Sequence, residues 1–161
     1  MKVVANSSVL IGLSMIGRFE VLKRLYEAIL IPDAVYQEIV IEGKGRFGCN
    51  ETYIAVKDGW IKRKKTRDSI AILSLLEYLH RGEAEAIILA KELSADLVLL
   101  DDPKARAIAS HMGLKKIGII GILQLALKQK ILADIKEDVN NLIKKGFRIS
   151  NGLYEKIQKR D

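Results

Sequence analysis

The sequence predicts an α/β fold with a central parallel sheet and right-handed crossovers. Strand-like apolar stretches alternate with helix-period stretches along almost the whole chain, the pattern of repeated βα units. The run Leu97-Val98-Leu99-Leu100 is apolar without alternation, as expected of a strand covered on both faces. With 161 residues, 49% of them hydrophobic and 29% charged, the chain can bury one ordinary core.

The elements follow in order. Residues 2–5 form a β-branched run that ends at Asn6-Ser7-Ser8, where a capping side chain can start a helix. Apolar spacing predicts a helix over 19–26 and a strand over 28–31, closed by Pro32-Asp33. Asp33 is expected to cap a helix over 34–40, with Val35, Ile39 and Val40 inward. Residues 43–48 read as a glycine-rich basic loop, and 55–64 as a helix end followed by a strand. The period predicts a helix over 70–80, a break at Gly82, and a new helix over 83–93 with acidic residues in its first turn. A strand over 96–100, a helix over 103–112 ended by Gly113, and a strand over 115–119 come next. Helices over 120–130, 135–145 and 151–159 complete the chain. The expectation is one domain over 1–161, with a core over 1–130 and C-terminal helices over 131–161.

Composition excludes several classes. Two prolines and no Ser/Gly-rich run argue against a flexible linker. Cys49 is the single cysteine, so no internal disulfide forms and a reducing compartment is expected. No basic leader precedes an apolar segment, and no stretch reaches the roughly 20 apolar residues of a membrane span. A soluble cytoplasmic protein without a membrane partner is expected. The net charge of +7 favours a polyanionic partner, although a lysine-rich surface gives the same sum. Lys62, Arg63, Lys64 and Lys65, with Arg67 beyond, follow Trp60-Ile61 and suit RNA phosphate contacts, or a strand edge guarded by charge.

In an open α/β sheet, ligands bind beyond the carboxyl ends of the strands. The first strand delivers Asn6-Ser7-Ser8 to that edge, and the 97–100 strand delivers Asp101-Asp102. Glu38 lies on the helix after the second strand, and Glu83 and Glu85 open the helix that feeds the Asp101 strand. Adjacent carboxylates repel and resist desolvation, a cost that a divalent cation relieves; oxygen-only donors select Mg²⁺ or Mn²⁺. Each residue also has a plainer reading: a cap for the 103–112 helix, a complement to a helix dipole, or an exposed carboxylate. His80 and His111 have no metal-ligand spacing, and GxSxG, GxxxxGK[ST] and GxGxxG are absent. Cys49, beside Arg46, has no histidine partner nearby in sequence and reads as a bystander thiol.

Four motifs carry a family resemblance. Val3-Val4-Ala5-Asn6-Ser7-Ser8-Val9-Leu10-Ile11 resembles the opening strand and turn of PIN domains, and Ile31-Pro32-x-x-Val35-x-x-Glu38 their second motif. Gly82-Glu83-Ala84-Glu85-Ala86-Ile87 resembles the third motif, and 97–100 with Asp101-Asp102 and Ala105-Arg106 the fourth. The resemblance covers about residues 2–125 and continues through Gly146-Phe147-Arg148-Ile149-Ser150, in a prokaryotic branch related to toxin–antitoxin ribonucleases. It implies a three-layer α/β/α sandwich and a metal-dependent endoribonuclease that cleaves RNA phosphodiesters. It also implies a possible antitoxin partner and a homodimer. The family's acidic positions fall on Asn6, Glu38, Glu85 (with Glu83 beside it) and Asp101 or Asp102. Glu38, Glu85, Asp101 and Asp102 would hold Mg²⁺ or Mn²⁺, with Ser7 and Glu83 supporting them. Asn6 departs from the pattern, because the family has an aspartate there. An amide keeps one coordinating oxygen and loses the charge, so the alternative is a degenerate domain that binds RNA or a protein without cutting. An unrelated receiver-like or small-ligand domain is the third reading, lacking a placeable phospho-accepting aspartate and its lysine.

Overall fold

The computed structural model describes residues 1–159 and divides the chain into two compact units, 1–119 and 120–161. In the first unit, five strands form one all-parallel sheet: β1 (Val3–Ala5), β2 (Ile29–Pro32), β3 (Ile61–Lys64), β4 (Leu97–Leu99) and β5 (Lys116–Ile117). Their order is β3-β2-β1-β4-β5. The α/β class and the parallel sheet expected from the sequence are therefore present, in the α/β/α sandwich arrangement. Chain direction across the sheet reverses between β1 and β4, which makes the carboxyl ends of those two strands the switch point where ligands gather.

The pairing register explains the core. Val4 lies opposite Leu30 on one side and Val98 on the other, so one row of side chains crosses the sheet centre. That row packs among Ala84, Ile87 and Ile88 of α6 (Arg81–Glu92). Residues 84–90 of α6 are all buried, the signature of a helix enclosed on every side. Val3, Val4 and Ala5 are at most 1% exposed, and burying each valine is worth about 1.5–3 kcal/mol.

The intervening helices are α1 (Ser7–Met15), α2 (Val21–Tyr26), α3 (Asp33–Tyr36), α4 (Cys49–Asp58), α5 (Ser69–Leu75) and α7 (Pro103–His111). Three expectations are corrected. Asp33 does not cap α3: Pro32 holds that position, Asp33 is the first helical residue, and its carboxylate lies 3.3 Å from Arg63 Nε. The helix expected over 34–40 changes pitch, because Gln37–Glu42 is a π-helical turn, a widening common at functional sites. Gly82 does not break the chain. It is the second residue of α6, where the N–H has no intrahelical acceptor and a glycine costs little.

The second unit carries the continuation of α8 (Ile119–Lys128), then α9 (Lys136–Lys144) and α10 (Asn151–Gln158). Within it, Tyr154 Oη donates to Asn140 Oδ1 at 3.1 Å, joining α10 to α9. Among the described residues no helix is long and apolar enough to cross a membrane.

Candidate active site

Asn6 ends β1 and caps α1. Its Oδ1 accepts from the Ser7 N–H at 2.7 Å, its Nδ2 donates to Ser8 Oγ at 3.3 Å, and it is 2% exposed. The cap holds the first turn of α1 against the sheet edge, so Ser7 Oγ reaches across to donate to Glu38 Oε2 at 2.5 Å. Glu38 Oε1 accepts the Gly82 N–H at 2.9 Å. Two elements distant in sequence thus clamp one carboxylate, and the clamp needs a glycine. A Cβ at position 82 would lie 2.5–2.6 Å from both Glu38 oxygens.

Glu83 follows directly on the clamp. Burial raises its carboxyl above the ordinary glutamate range, the negative charge of Asp102 raises it further, and Glu38 adds to this; the His80 N–H and the His80 charge oppose the shift. Asp102 caps α7, its Oδ2 accepting from the Ala105 N–H at 2.9 Å. Glu83 therefore lies within electrostatic reach of Asp102 and Glu38, and Ser7 links Glu38 to Asn6 at the end of β1. A cavity of about 630 Å³ opens beside Glu38, lined also by Ile11, Ile39, Arg46, Phe47 and Glu51.

A family model described as a PIN domain matches residues 2–161. The chain is a PIN-domain protein. The fold agrees with a solved structure, a PilT N-terminus domain protein from the hyperthermophilic archaeon Sulfolobus solfataricus P2. That protein is 19% identical with a TM-score of 0.55, over 79% of this chain and 94% of the other. No functionally curated protein matches the sequence. PIN domains are typically nucleases and generally use divalent metals.

The PIN-domain edge does not bring all the sequence candidates together. Glu85 lies two residues beyond Glu83 and is 8% exposed. Its Oε1 accepts from the Ala34 N–H at 3.3 Å, and its Oε2 lies 3.5 Å from Arg81 Nη1. Glu85 thus supplies the cap that α3 lacks from Pro32. Beyond the end of β4, Asp102 accepts from the Ala105 N–H, while Asp101 Oδ1 accepts from the Ile119 N–H at 3.0 Å. Burial raises the Asp101 carboxyl, while that N–H and the charge of Arg106 act to lower it. Of the basic run on the edge strand β3, Arg63 also stacks over the Tyr36 ring, 3.9 Å from its centroid. Lys62, Lys64 and Lys65 are exposed.

The donor set suits a hard divalent cation. Glu38, Glu83 and Asp102 offer carboxylate oxygens and Asn6 an amide oxygen; burial raises the Glu83 carboxyl, and the charges of Asp102 and Glu38 add to it, a cost that a cation would relieve. As the side chains lie, no three acidic, imidazole or thiol groups among the described residues are grouped to hold an ion, so closure on one requires rotamer change.

Two features of the site have no local sequence signal. Gly82 reads as a helix breaker because nothing local reveals Glu38, 44 residues away. The Glu51 wall of the cavity has no signal at all, since its helix α4 begins at Cys49, inside a stretch without clear period.

Proposed function

We propose that this PIN domain is a metal-dependent endoribonuclease whose working residues are Glu38, Glu83 and Asp102, with Asn6 beside them. The observation that carries the reading is the Glu38 carboxylate held between Ser7 Oγ and the Gly82 N–H, one residue before Glu83, at the β1/β4 switch point; burial raises the Glu83 carboxyl, and the charge of Asp102 adds to it. Glu38, Glu83 and Asp102 would hold Mg²⁺ or Mn²⁺, which when bound supplies Lewis-acid stabilisation of the phosphodiester and lowers the pKa of water. Ser7 Oγ and the Gly82 N–H orient Glu38 from two sides, so that one carboxylate faces the scissile phosphate in a fixed pose. Glu85 acts at a distance, tying α6 to the start of the segment that carries Glu38. Lys62, Lys64 and Lys65 bring positive charge to the end of β3, at the carboxyl edge, and suit RNA backbone phosphates.

Asn6 supports a second reading, a PIN domain that binds RNA or a protein without cutting. Its amide oxygen already serves the Ser7 N–H, so capping alone accounts for the residue. Incubating end-labelled RNA with the protein in Mn²⁺ or in EDTA decides between them. Internal cuts that need Mn²⁺ and vanish in Asp102→Asn support the nuclease; binding without cuts supports the second reading. We extend the proposal to the two partners the resemblance implies, an antitoxin protein and a second copy of the chain. Light scattering of the purified protein tests the latter.

A further inference from the structure

The cavity beside Glu38 has a composition that the acidic cluster does not explain. Its walls are Ile11, on the α1 helix that Asn6 caps, and Ile39, next to Glu38. Gly43 and Gly45 leave part of its rim without side chains, and Phe47, 54% exposed, forms an aromatic flank. Arg46 supplies a cation and Glu51, in the first turn of α4, a carboxylate. The volume of about 630 Å³ lies within the roughly 300–1,000 Å³ of small-molecule sites. Glu38 belongs both to the cavity wall and to the acidic cluster.

We propose that this cavity is a guanine subsite, holding one unpaired guanine of the RNA next to the phosphodiester at Glu38, with Glu51 reading its edge. The proposal rests on the nuclease reading for what happens at that phosphodiester. Phe47 offers a face on which any unpaired base can stack, and Arg46 neutralises a flanking phosphate. Those contacts bind without choosing. Glu51 chooses, because a carboxylate has only acceptors. Guanine presents two adjacent donors on its Watson–Crick edge, N1–H and the N2 amino group, and pairs with both carboxylate oxygens at once. Adenine and cytosine offer one amino donor beside a ring acceptor, which faces the second oxygen unfavourably. Uracil offers one N–H between two carbonyls.

The test uses GMP, AMP, CMP and UMP, titrated by NMR into the whole protein in EDTA, so that no cation is needed. GMP should bind more tightly than the other three, by roughly tenfold for a bidentate pair. Glu51→Gln, an isosteric change at a partly exposed position, should erase that preference and leave the other three unchanged. Phe47→Ala should weaken all four alike. Equal binding of the four nucleotides, or a preference that survives Glu51→Gln, overturns the subsite. RNA cleavage in Mn²⁺ separates the two proposals. Cuts beside guanines that scatter in Glu51→Gln support the subsite. Cuts without base preference overturn the subsite while the nuclease stands. GMP selectivity with no cutting keeps the subsite and removes the nuclease.

Discussion

An alanine at position 82 would place its Cβ 2.5 and 2.6 Å from the two Glu38 carboxylate oxygens. Carbon and oxygen in contact need roughly 3.5 Å, so the carboxylate must withdraw by about 1 Å. That movement stretches the 2.9 Å hydrogen bond from the Gly82 N–H beyond useful length and strains the one from Ser7. Hydrogen bonds to a charged group are worth about 1.5–3 kcal/mol when buried. Glu38 is only half-buried, so water recovers much of the loss. Against it, replacing glycine by alanine in a helix gains up to about 1 kcal/mol, less in the first turn. The two nearly cancel, and the melting temperature should move by no more than about 2–4 °C, the shift for 1 kcal/mol in a chain of this size. The site fares worse, since its best-held carboxylate has left its place. Mn²⁺ affinity, read by isothermal titration, should fall by about tenfold, equivalent to 1.4 kcal/mol. Gly152→Ala is the control: nothing lies within 4 Å of the added Cβ on α10, and Mn²⁺ affinity should stay within about twofold. Unchanged affinity in Gly82→Ala would refute the clamp.

Three further outcomes are expected. Because Glu83 keeps its proton to a higher pH in the folded chain than in the unfolded one, its share of the metal-free protein's stability should be full below the ordinary glutamate range and be lost as pH rises through the shifted value. Glu83→Gln should remove that share and melt higher than wild type at neutral pH in EDTA; an equal or lower melting temperature contradicts the crowding. Asn6→Asp retains an oxygen for the Ser7 N–H and adds a charge, so Mn²⁺ affinity should rise by on the order of 1–3 kcal/mol, with no change excluding Asn6 from the cation site. Replacing Lys62, Lys64 and Lys65 by alanine, with Arg63 left on Asp33 and Tyr36, should reduce the salt dependence of RNA binding. An unchanged slope would make the run a guarded strand edge only.

The strands were legible because β1 and β4 lie at the sheet centre, where burial on both faces writes an unbroken apolar run. The residues that follow those runs, Asn6 and Asp102, were placed at the site edge for the same reason. The choice between Glu83 and Glu85 was only half legible. Two residues along a helix turn the side chain by about 200°, so the pair cannot serve one site, but the helix period does not say which face meets the strand ends. The structure shows why Glu85 looked eligible: Pro32 leaves α3 without a side-chain cap, and Glu85 answers that need from 51 residues away. The Asp101-Asp102 pair is ambiguous in the same manner: both follow the same strand, and each accepts one backbone N–H, Asp101 from Ile119 and Asp102 from Ala105. Gly82 reads locally as a break because its reason is a contact across 44 residues, beyond any local pattern.

Isothermal titration of Mn²⁺ into wild type, Glu83→Gln and Glu85→Gln tests the central claim most directly, because the two glutamates lie two residues apart on one helix and meet different partners. The expected result is one site in wild type, at least about tenfold weaker in Glu83→Gln and nearly unchanged in Glu85→Gln, whose amide still accepts from Ala34. Equal losses in the two variants, or no Mn²⁺ binding by the wild-type protein at millimolar concentration, would contradict it.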